Sequence, residues 1–301
     1  VPARDLDPSA AAILDEVAVD RVVDWFDHEG RDLPWRHGSA TPWSILVSEI
    51  MLQQTPVVRV LPRWQDWMRR WPTPQDLAEA PTAEVLRAWD RLGYPRRALR
   101  LQECARAIVA RHGGEVPRGL EQLRELPGIG EYTAAAVTAF AHHGRAVVAD
   151  TNIRRVLVRC AWGEAAPGAA FTAGQRALAG SVLPAGIERS VRWNQAVMEL
   201  GALVCTARSP RCGECPLADR CRWLAAGCPV DPGAPARRQA FEGTDRQMRG
   251  RIMALLREGH ASPQQIAALA DGPSDTRPER CLDSLVADGL AVVDGERVRL
   301  P

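Results

Sequence analysis

Four cysteines, Cys205, Cys212, Cys215 and Cys221, fall within 17 residues of sequence. Thiolate is a soft ligand, so four on one short loop can surround a single metal centre. The ligand type alone does not choose the metal, because zinc also accepts four cysteines. Structural zinc sites usually use two short pairs. Here six, two and five residues separate the sulfurs, which suits a loop wrapped around something larger than one ion. Four unliganded thiols are the remaining alternative. The same loop carries Arg208, Arg211, Arg220 and Arg222, which suit either phosphate contact or a solvated charged surface. Cys104, Cys160, Cys228 and Cys281 are dispersed and read as small apolar residues.

Two carboxylates have the setting of functional acids. Glu49 lies in WSILVSEIMLQQT (43–55), a largely apolar helical pattern. A buried Glu there is costly without a use; the other reading places it on an exposed stripe. Asp150 follows the apolar Ala146-Val-Val-Ala149 and directly precedes Thr151-Asn-Ile-Arg-Arg, the position of a helix N-cap. Capping does not exclude chemistry. Two carboxyls in different environments can divide the work of proton donor and charge stabiliser, the donor being kept protonated by burial among apolar groups.

A third feature concerns phosphate. Leu126-Pro-Gly-Ile-Gly130 lies between the helical patterns LEQLREL and EYTAAAVTAFAH. Gly128 and Gly130 permit a tight turn, and the next helix presents its free N–H groups outward, where a phosphate can bind. Taken alone, this segment reads equally well as an ordinary helix turn.

Hairpin, aspartate and cysteine loop, in this order, resemble the helix-hairpin-helix superfamily of base-excision DNA glycosylases. The cysteine loop is similar to that of endonuclease III, which implies a [4Fe–4S] cluster held by Cys205, Cys212, Cys215 and Cys221. LPWR (33–36), SEIMLQQT (48–55), LGY (92–94), LPGIGEYTAAA (126–136), ADTNIRRVLVRC (149–160) and WNQAVMELGALVC (193–205) resemble the MutY-type adenine glycosylases, over residues 20–225. The resemblance implies that Glu49 protonates adenine, that Asp150 stabilises the sugar cation or an adduct with Asn152 in support, and that Tyr132 packs at the active site. It implies further that Trp35, Arg36 and Gln195 line the adenine pocket. Gln54 and Tyr94 match side chains that wedge into the duplex, and Thr55 one near the opposing base. Such wedging accompanies extrusion of the target base from the stack.

Strand-cleaving relatives carry a nucleophilic lysine where this chain has Tyr132. All 38 basic residues here are Arg, so no lysine amine is present to form a Schiff base. The expected product is an abasic site in an intact strand. Two departures from the family pattern stand out. The common GYY reads Gly93-Tyr94-Pro95, and residues 241–301 do not read as the larger Nudix-like domain that recognises 8-oxoguanine in many members.

The elements that must position these residues are nearly all helical. Apolar spacing near 3.6 predicts helices over 8–28, 43–54, 57–70, 83–90, 96–112, 119–125, 131–142, 151–161, 171–182 and 187–204. Residues 1–9 read as a loose end. After the Pro- and Arg-rich stretch 229–240 come helices over 245–258, from Ser262-Pro263, and over 277–288, then two alternating runs around Asp294-Gly295, a hairpin signal. The expected fold is mostly α: two domains of the helix-hairpin-helix glycosylase type with a [4Fe–4S] loop, plus a small winged-helix-like module. The boundaries are 1–38 with 147–228 for the cluster domain, 39–146 for the domain with the hairpin, 229–240 for a linker and 241–301 for the module. Three roles are open for the module: DNA contact through Arg246, Arg249 and Arg251, packing on the catalytic domain, or binding a partner.

No apolar run reaches the length of a membrane span, and a net charge of +1 requires any DNA-binding surface to be a local patch. The expectation is a cytoplasmic monomer, nucleoid-associated when acting, that binds duplex DNA with a mismatched or damaged pair. It would excise adenine opposite 8-oxoguanine or guanine without cleaving the strand. The alternatives are a thymine–guanine mismatch glycosylase of the same superfamily and a non-catalytic iron–sulfur DNA-binding regulator; retention of both Glu49 and Asp150 speaks against the second.

Overall fold

The computed structural model describes residues 12–230 and 241–301. The N-terminal stretch read as a loose end, and the linker from 231 to 240, lie outside the described residues. In chain order the helices are α1 Glu16–Glu29, α2 Pro42–Leu52, α3 Val57–Arg70, α4 Pro74–Glu79, α5 Thr82–Trp89, α6 Arg96–His112, α7 Leu120–Arg124 and α8 Glu131–Phe140. They continue with α9 Thr151–Leu157, α10 Ala173–Ser181, α11 Ile187–Leu203, α12 Arg222–Ala225, α13 Asp245–Glu258, α14 Pro263–Ala267 and α15 Arg277–Ala287. Strands β1 Val292–Asp294 and β2 Arg297–Arg299 pair antiparallel, with Val293 opposite Val298, and Ala261 bridges to the far side of Val298. The mostly helical fold expected from the apolar spacing is the one observed.

The chain divides into two compact units. The first comprises Val1–Ile45, Arg118–Arg124 and Ile129–Pro235. In α1 the apolar residues Ala18, Val19, Val22 and Phe26 recur at helical spacing and are all buried. They join Ile153, Val156 and Leu157 of α9, Leu178 of α10, and Trp193, Val197 and Leu200 of α11 in one core. Removing such side chains from water is the main source of this unit's stability. The helix expected over 151–161 is regular only to Leu157; over Val158–Trp162 the backbone widens into a π-type turn. Such turns re-aim side chains, and this one carries Arg159 and Cys160.

The second unit comprises Leu46–Pro117, Glu125–Gly128 and Ala236–Pro301. Its core is built on tryptophan: Trp67 meets Trp71 and Trp89 edge-on, at centroid distances of 4.6 and 5.6 Å. Helix α4 is absent from the apolar pattern, being too short to show a period. Its start is set by a capping box in which Thr73 and Asp76 exchange hydrogen bonds. Gln102 of α6, fully buried, donates to the Leu77 and Ala80 carbonyls at 3.2 and 2.7 Å and so fixes the end of α4. Residues 241–301 fold within this unit as three helices and a hairpin, with Met248, Ile252, Leu256, Ile266, Leu285 and Val298 buried.

Candidate active site

Helix α2 carries Glu49. From Trp43 to Met51 every residue of α2 is buried, so the helix has no exposed stripe for Glu49 to occupy. Glu49 itself is 6% exposed, beside Ser48 at 0%. A helix apolar nearly all round belongs in an interior, and the Glu49 carboxyl is held there rather than at the surface. After Leu52 the chain turns sharply. Gln54 adopts a left-handed φ of 55° and is exposed, while Thr55 is buried.

The loop before α6 has the same character. Asp90 and Tyr94 have positive φ, 45° and 49°, and Tyr94 is 48% exposed. One residue that sequence reasoning missed holds both loops. Arg97 donates through Nη1 to the carbonyls of Ile50, Met51 and Gln53 at 3.0, 3.0 and 2.6 Å. Through Nη2 it donates to Thr55 Oγ1 at 2.9 Å and to the Gly93 carbonyl at 3.0 Å. Its guanidinium therefore fixes the C-terminal end of the Glu49 helix, and the Gln54 and Tyr94 loops, to one point. Burial draws this cation down to about 10, still charged at neutral pH.

In the first unit Asp150 caps α9, its Oδ1 accepting from the Ile153 N–H at 2.7 Å. Its other oxygen accepts from Asn152 Nδ2 at 2.7 Å. Asn152 Oδ1 in turn accepts from Arg155 Nη2 at 2.8 Å, and Arg155 also donates to the Gly201 carbonyl at 2.7 Å and, through Nε, to the Cys205 carbonyl at 2.7 Å. A continuous hydrogen-bonded path thus runs from the Asp150 carboxylate to the backbone of the first cysteine. Burial pushes the Asp150 carboxyl above the ordinary range, while the Ile153 N–H, the Asn152 amide and the Arg155 charge pull it back. Gly201 permits the path, since a Cβ there would lie 2.7 Å from both the Asn152 Cβ and its carbonyl oxygen.

Three of the remaining expected residues, Trp35, Arg36 and Gln195, also belong to this unit. Trp35 is buried in the single turn Pro34–Arg36, and Gln195 is half-buried on α11. The Arg36 guanidinium is held by Glu199 at 2.8 Å. Glu199, 1% exposed, also binds Arg31 at Nε, 2.7 Å, and Nη2, 2.9 Å. Burial alone would raise the Glu199 carboxyl, but the hydrogen bonds from Arg31 and Arg36 outweigh it and hold it at about 2. Tyr132 is half-buried against the core.

The hairpin joins α7 to α8. Gly128 has φ +80° and packs a would-be Cβ at 3.0 Å from Arg100 Cβ, so glycine is required there on both counts. Gly130 differs: its backbone is extended and the space before a would-be Cβ is open. No side chain caps α8, which leaves its first N–H groups facing that space.

The four clustered cysteines line one apolar cavity with Val204, Pro210, Ala218, Trp223 and Leu224. Four thiols lining one cavity supply the ligand set that an iron–sulfur cluster uses. Arg159, buried in the π-type turn, donates to Cys205 Sγ at 3.4 Å and to the Thr206 carbonyl at 2.8 Å, with its guanidinium 4.3 Å from the Trp223 ring centroid. The loop arginines are mostly committed to the protein itself. Arg211 pairs with Glu214 at 2.7 Å, Arg220 with Asp15 at 2.7 Å, and Arg222 donates to the Ala161 carbonyl at 2.9 Å. Arg208 is exposed, with no protein partner among the described residues. Among the scattered cysteines, Cys104 is an inert core thiol, pushed up to about 12 by burial.

Residues 47–174 match the family of HhH-GPD superfamily base excision DNA repair proteins, and 205–221 the iron–sulfur binding domain of endonuclease III. The adenine DNA glycosylase of Mycobacterium tuberculosis is 50% identical over 92% of this chain and 91% of its own length. That of Mycolicibacterium smegmatis is 49% identical over 89% and 90%. Both alignments are longer than residues 1–240 could supply, so they run into the C-terminal module. Among solved structures, a thermostable thymine-DNA glycosylase superposes with a TM-score of 0.64 and 29% identity, over 72% of this chain and 99% of its own.

Proposed function

The chain belongs to the adenine DNA glycosylases of the helix-hairpin-helix superfamily, and from that premise we propose that it excises adenine mispaired with 8-oxoguanine or guanine, leaving an abasic site in an intact strand. It is an enzyme of base-excision repair that hydrolyses an N-glycosyl bond, it binds DNA, and Cys205, Cys212, Cys215 and Cys221 hold a [4Fe–4S] cluster. Held by these four thiolates, the cluster would cross-link the loop after α11.

The chemistry is set by what the reaction must supply. Cleaving the bond develops positive charge on the sugar and negative charge on the base, so it needs a proton donor and a nearby anion. Glu49, buried on α2, is the donor to the departing adenine. Asp150 is the anion facing the sugar, and Asn152 and Arg155 fix its carboxylate against rotation and favour its ionised form. Water becomes the acceptor of the sugar. Trp35, Arg36 and Gln195 shape the pocket for the extruded base, with Tyr132 packing beside it. Gln54 and Tyr94 enter the space it leaves, and Thr55 lies by the opposing base. The open N-terminus of α8, with Gly128 and Gly130 before it, takes a backbone phosphate. The absence of any lysine from the 301 residues removes the amine that strand cleavage would need.

The observation that carries the reading is the combination of an α2 buried from Trp43 to Met51, Glu49 included, with a hydrogen-bonded Asp150. The test is single-turnover release of base from labelled duplexes holding A:8-oxoguanine, A:G or T:G, with and without alkali. Release from the adenine duplexes, visible as strand breaks only after alkali, is expected. Release from T:G alone would replace the adenine reading with the thymine one. Glu49→Gln is expected to lower the rate by at least a thousandfold while duplex binding survives; retained turnover would remove Glu49 from the donor role.

A further inference from the structure

The C-terminal module belongs to the same compact unit as the Tyr94 loop, and its first helix is fixed to that loop. On α13, Arg257 donates through Nη2 to the Asp90 carbonyl at 2.8 Å, and its own carbonyl accepts from Arg87 Nε at 3.3 Å. Asp288, after α15, pairs with Arg96 at 3.3 Å. These contacts bracket Tyr94 on both sides in sequence. They place Arg246, in the first turn of α13, with its guanidinium 5.4 Å from the Tyr94 ring centroid and 5.8 Å from that of Phe241. Arg97 lies 5.7 Å from the same Tyr94 ring. An exposed aromatic ring therefore carries two cations, one supplied by each part of the unit.

The other basic side chains of the module's helices are largely neutralised. Arg249 binds Asp288 at 2.6 Å, Arg251 binds Asp271 at 2.8 Å, Arg277 binds Asp271 and Asp275 at 2.7 Å, and Arg280 binds Asp245 at 2.6 Å. Arg246 is exposed and, among the described residues, has no carboxylate. A guanidinium stacked on rings by its face keeps its N–H edges free, in the fork that matches a phosphate. Of the three arginines that the sequence offered for DNA contact, the ion pairs commit Arg249 and Arg251 and leave Arg246.

We infer that the C-terminal module is part of the DNA-binding surface, and that Arg246, braced on Tyr94 and Phe241, grips a backbone phosphate next to the point where Tyr94 enters the duplex. The inference rests on the reading of Tyr94 as a wedge. Such a contact carries no sequence information. It ties the module to the duplex backbone at the lesion and opposes withdrawal of Tyr94.

The test uses the full-chain holoenzyme and fluorescence anisotropy with two duplexes, one holding an uncleavable 2′-fluoro-adenosine opposite 8-oxoguanine and one undamaged, between 50 and 200 mM salt. Losing one phosphate contact lowers the slope of log K against log salt by about 0.9. Arg246→Ala is expected to show that loss, with binding weakened about tenfold and to a similar degree on both duplexes. Arg246→Lys should recover the slope, and Arg251→Ala, which removes an equal but committed charge, should leave it unchanged. An unaltered slope and affinity in Arg246→Ala overturns the inference, as does an equal effect from Arg251→Ala. Tyr94→Ala, measured alongside, separates the two readings. If it weakens lesion binding while Arg246→Ala does nothing, the wedge stands and the module contact falls. If it leaves lesion binding intact while Arg246→Ala flattens the slope, the phosphate contact stands and the wedge falls.

Discussion

Replacing Gly201 by Ala tests whether the path from Asp150 to the cysteine loop positions the reacting carboxylate. The added Cβ would meet Asn152 Cβ and its carbonyl oxygen at 2.7 Å, where ordinary contact begins at 3.4 Å. Two of the three nearest atoms are backbone, so no rotamer change relieves the clash, and α9 and α11 must separate by about 0.7 Å, a form of overpacking that typically costs about 1–3 kcal/mol. For a protein of this size the melting temperature should fall by roughly 2–12 °C. The larger effect is on the chemistry. Asn152 holds one Asp150 oxygen, and Arg155 spans Asn152, the Gly201 carbonyl and the Cys205 carbonyl, so displacement at Gly201 moves all four partners. A misplacement near 1 Å can cost on the order of a hundredfold, and the single-turnover rate on an A:8-oxoguanine duplex is expected to drop at least tenfold with affinity for the uncleavable duplex little changed. Gly180→Ala is the matched control, because its Cβ would meet only Val147 Cγ2, at 3.9 Å; its rate should equal the parent's. Equal rates and melting temperatures in the two variants would refute the claim that the close approach of α9 and α11 positions Asp150.

Asn152→Ala removes a donor to the ionised form of Asp150, whose carboxyl burial already raises. The carboxylate must be charged to act, so the acid limb of the pH–rate profile should move to higher pH; an unmoved limb would detach Asp150 from it. Arg97→Met strips the partner from three α2-end carbonyls, Thr55 and Gly93, and is expected to cost about 3 kcal/mol in urea unfolding, with Arg97→Lys recovering part. A cost under about 1 kcal/mol would deny it the positioning role. Glu199 titrates at about 2 in the fold against an ordinary 4.5, so its ionised form contributes about 3 kcal/mol of stability above pH 4.5. That contribution is lost as pH falls through the window between the two values. The unfolding free energy of the parent, relative to Glu199→Gln, should therefore narrow below pH 4.5; a constant difference would contradict the ion-pair account.

How far such a site can be read from sequence depends on where its partners lie. The cysteine loop was legible because its four ligands sit within one short stretch, at a spacing that departs from the paired pattern of zinc. The hairpin was legible through its glycines, although only Gly128 needs to be one for conformational reasons. Arg97 was invisible for the opposite reason. Three of its acceptors are main-chain carbonyls more than forty residues back along the chain, and a carbonyl has no sequence signature. Helix α4 left no period because six residues make fewer than two turns.

Glu49 and Glu199 show most clearly what pattern can and cannot decide. Each is a helical acid, and each is buried, at 6% and 1% exposure. The rule that marks a buried carboxyl as costly without a use selects both equally. For Glu199 the surroundings decide. Glu199 is gripped by two arginines with four hydrogen bonds, which hold it ionised and fix the Arg31–Arg36 segment against α11. A carboxylate held so firmly as an anion cannot serve as a proton donor near neutral pH. Glu199 too lies in a segment that resembles the family, WNQAVMELGALVC, so resemblance to a motif does not by itself distinguish a donor from a strut. What marks Glu199 as a strut is the pair of counter-charges that the fold supplies to it.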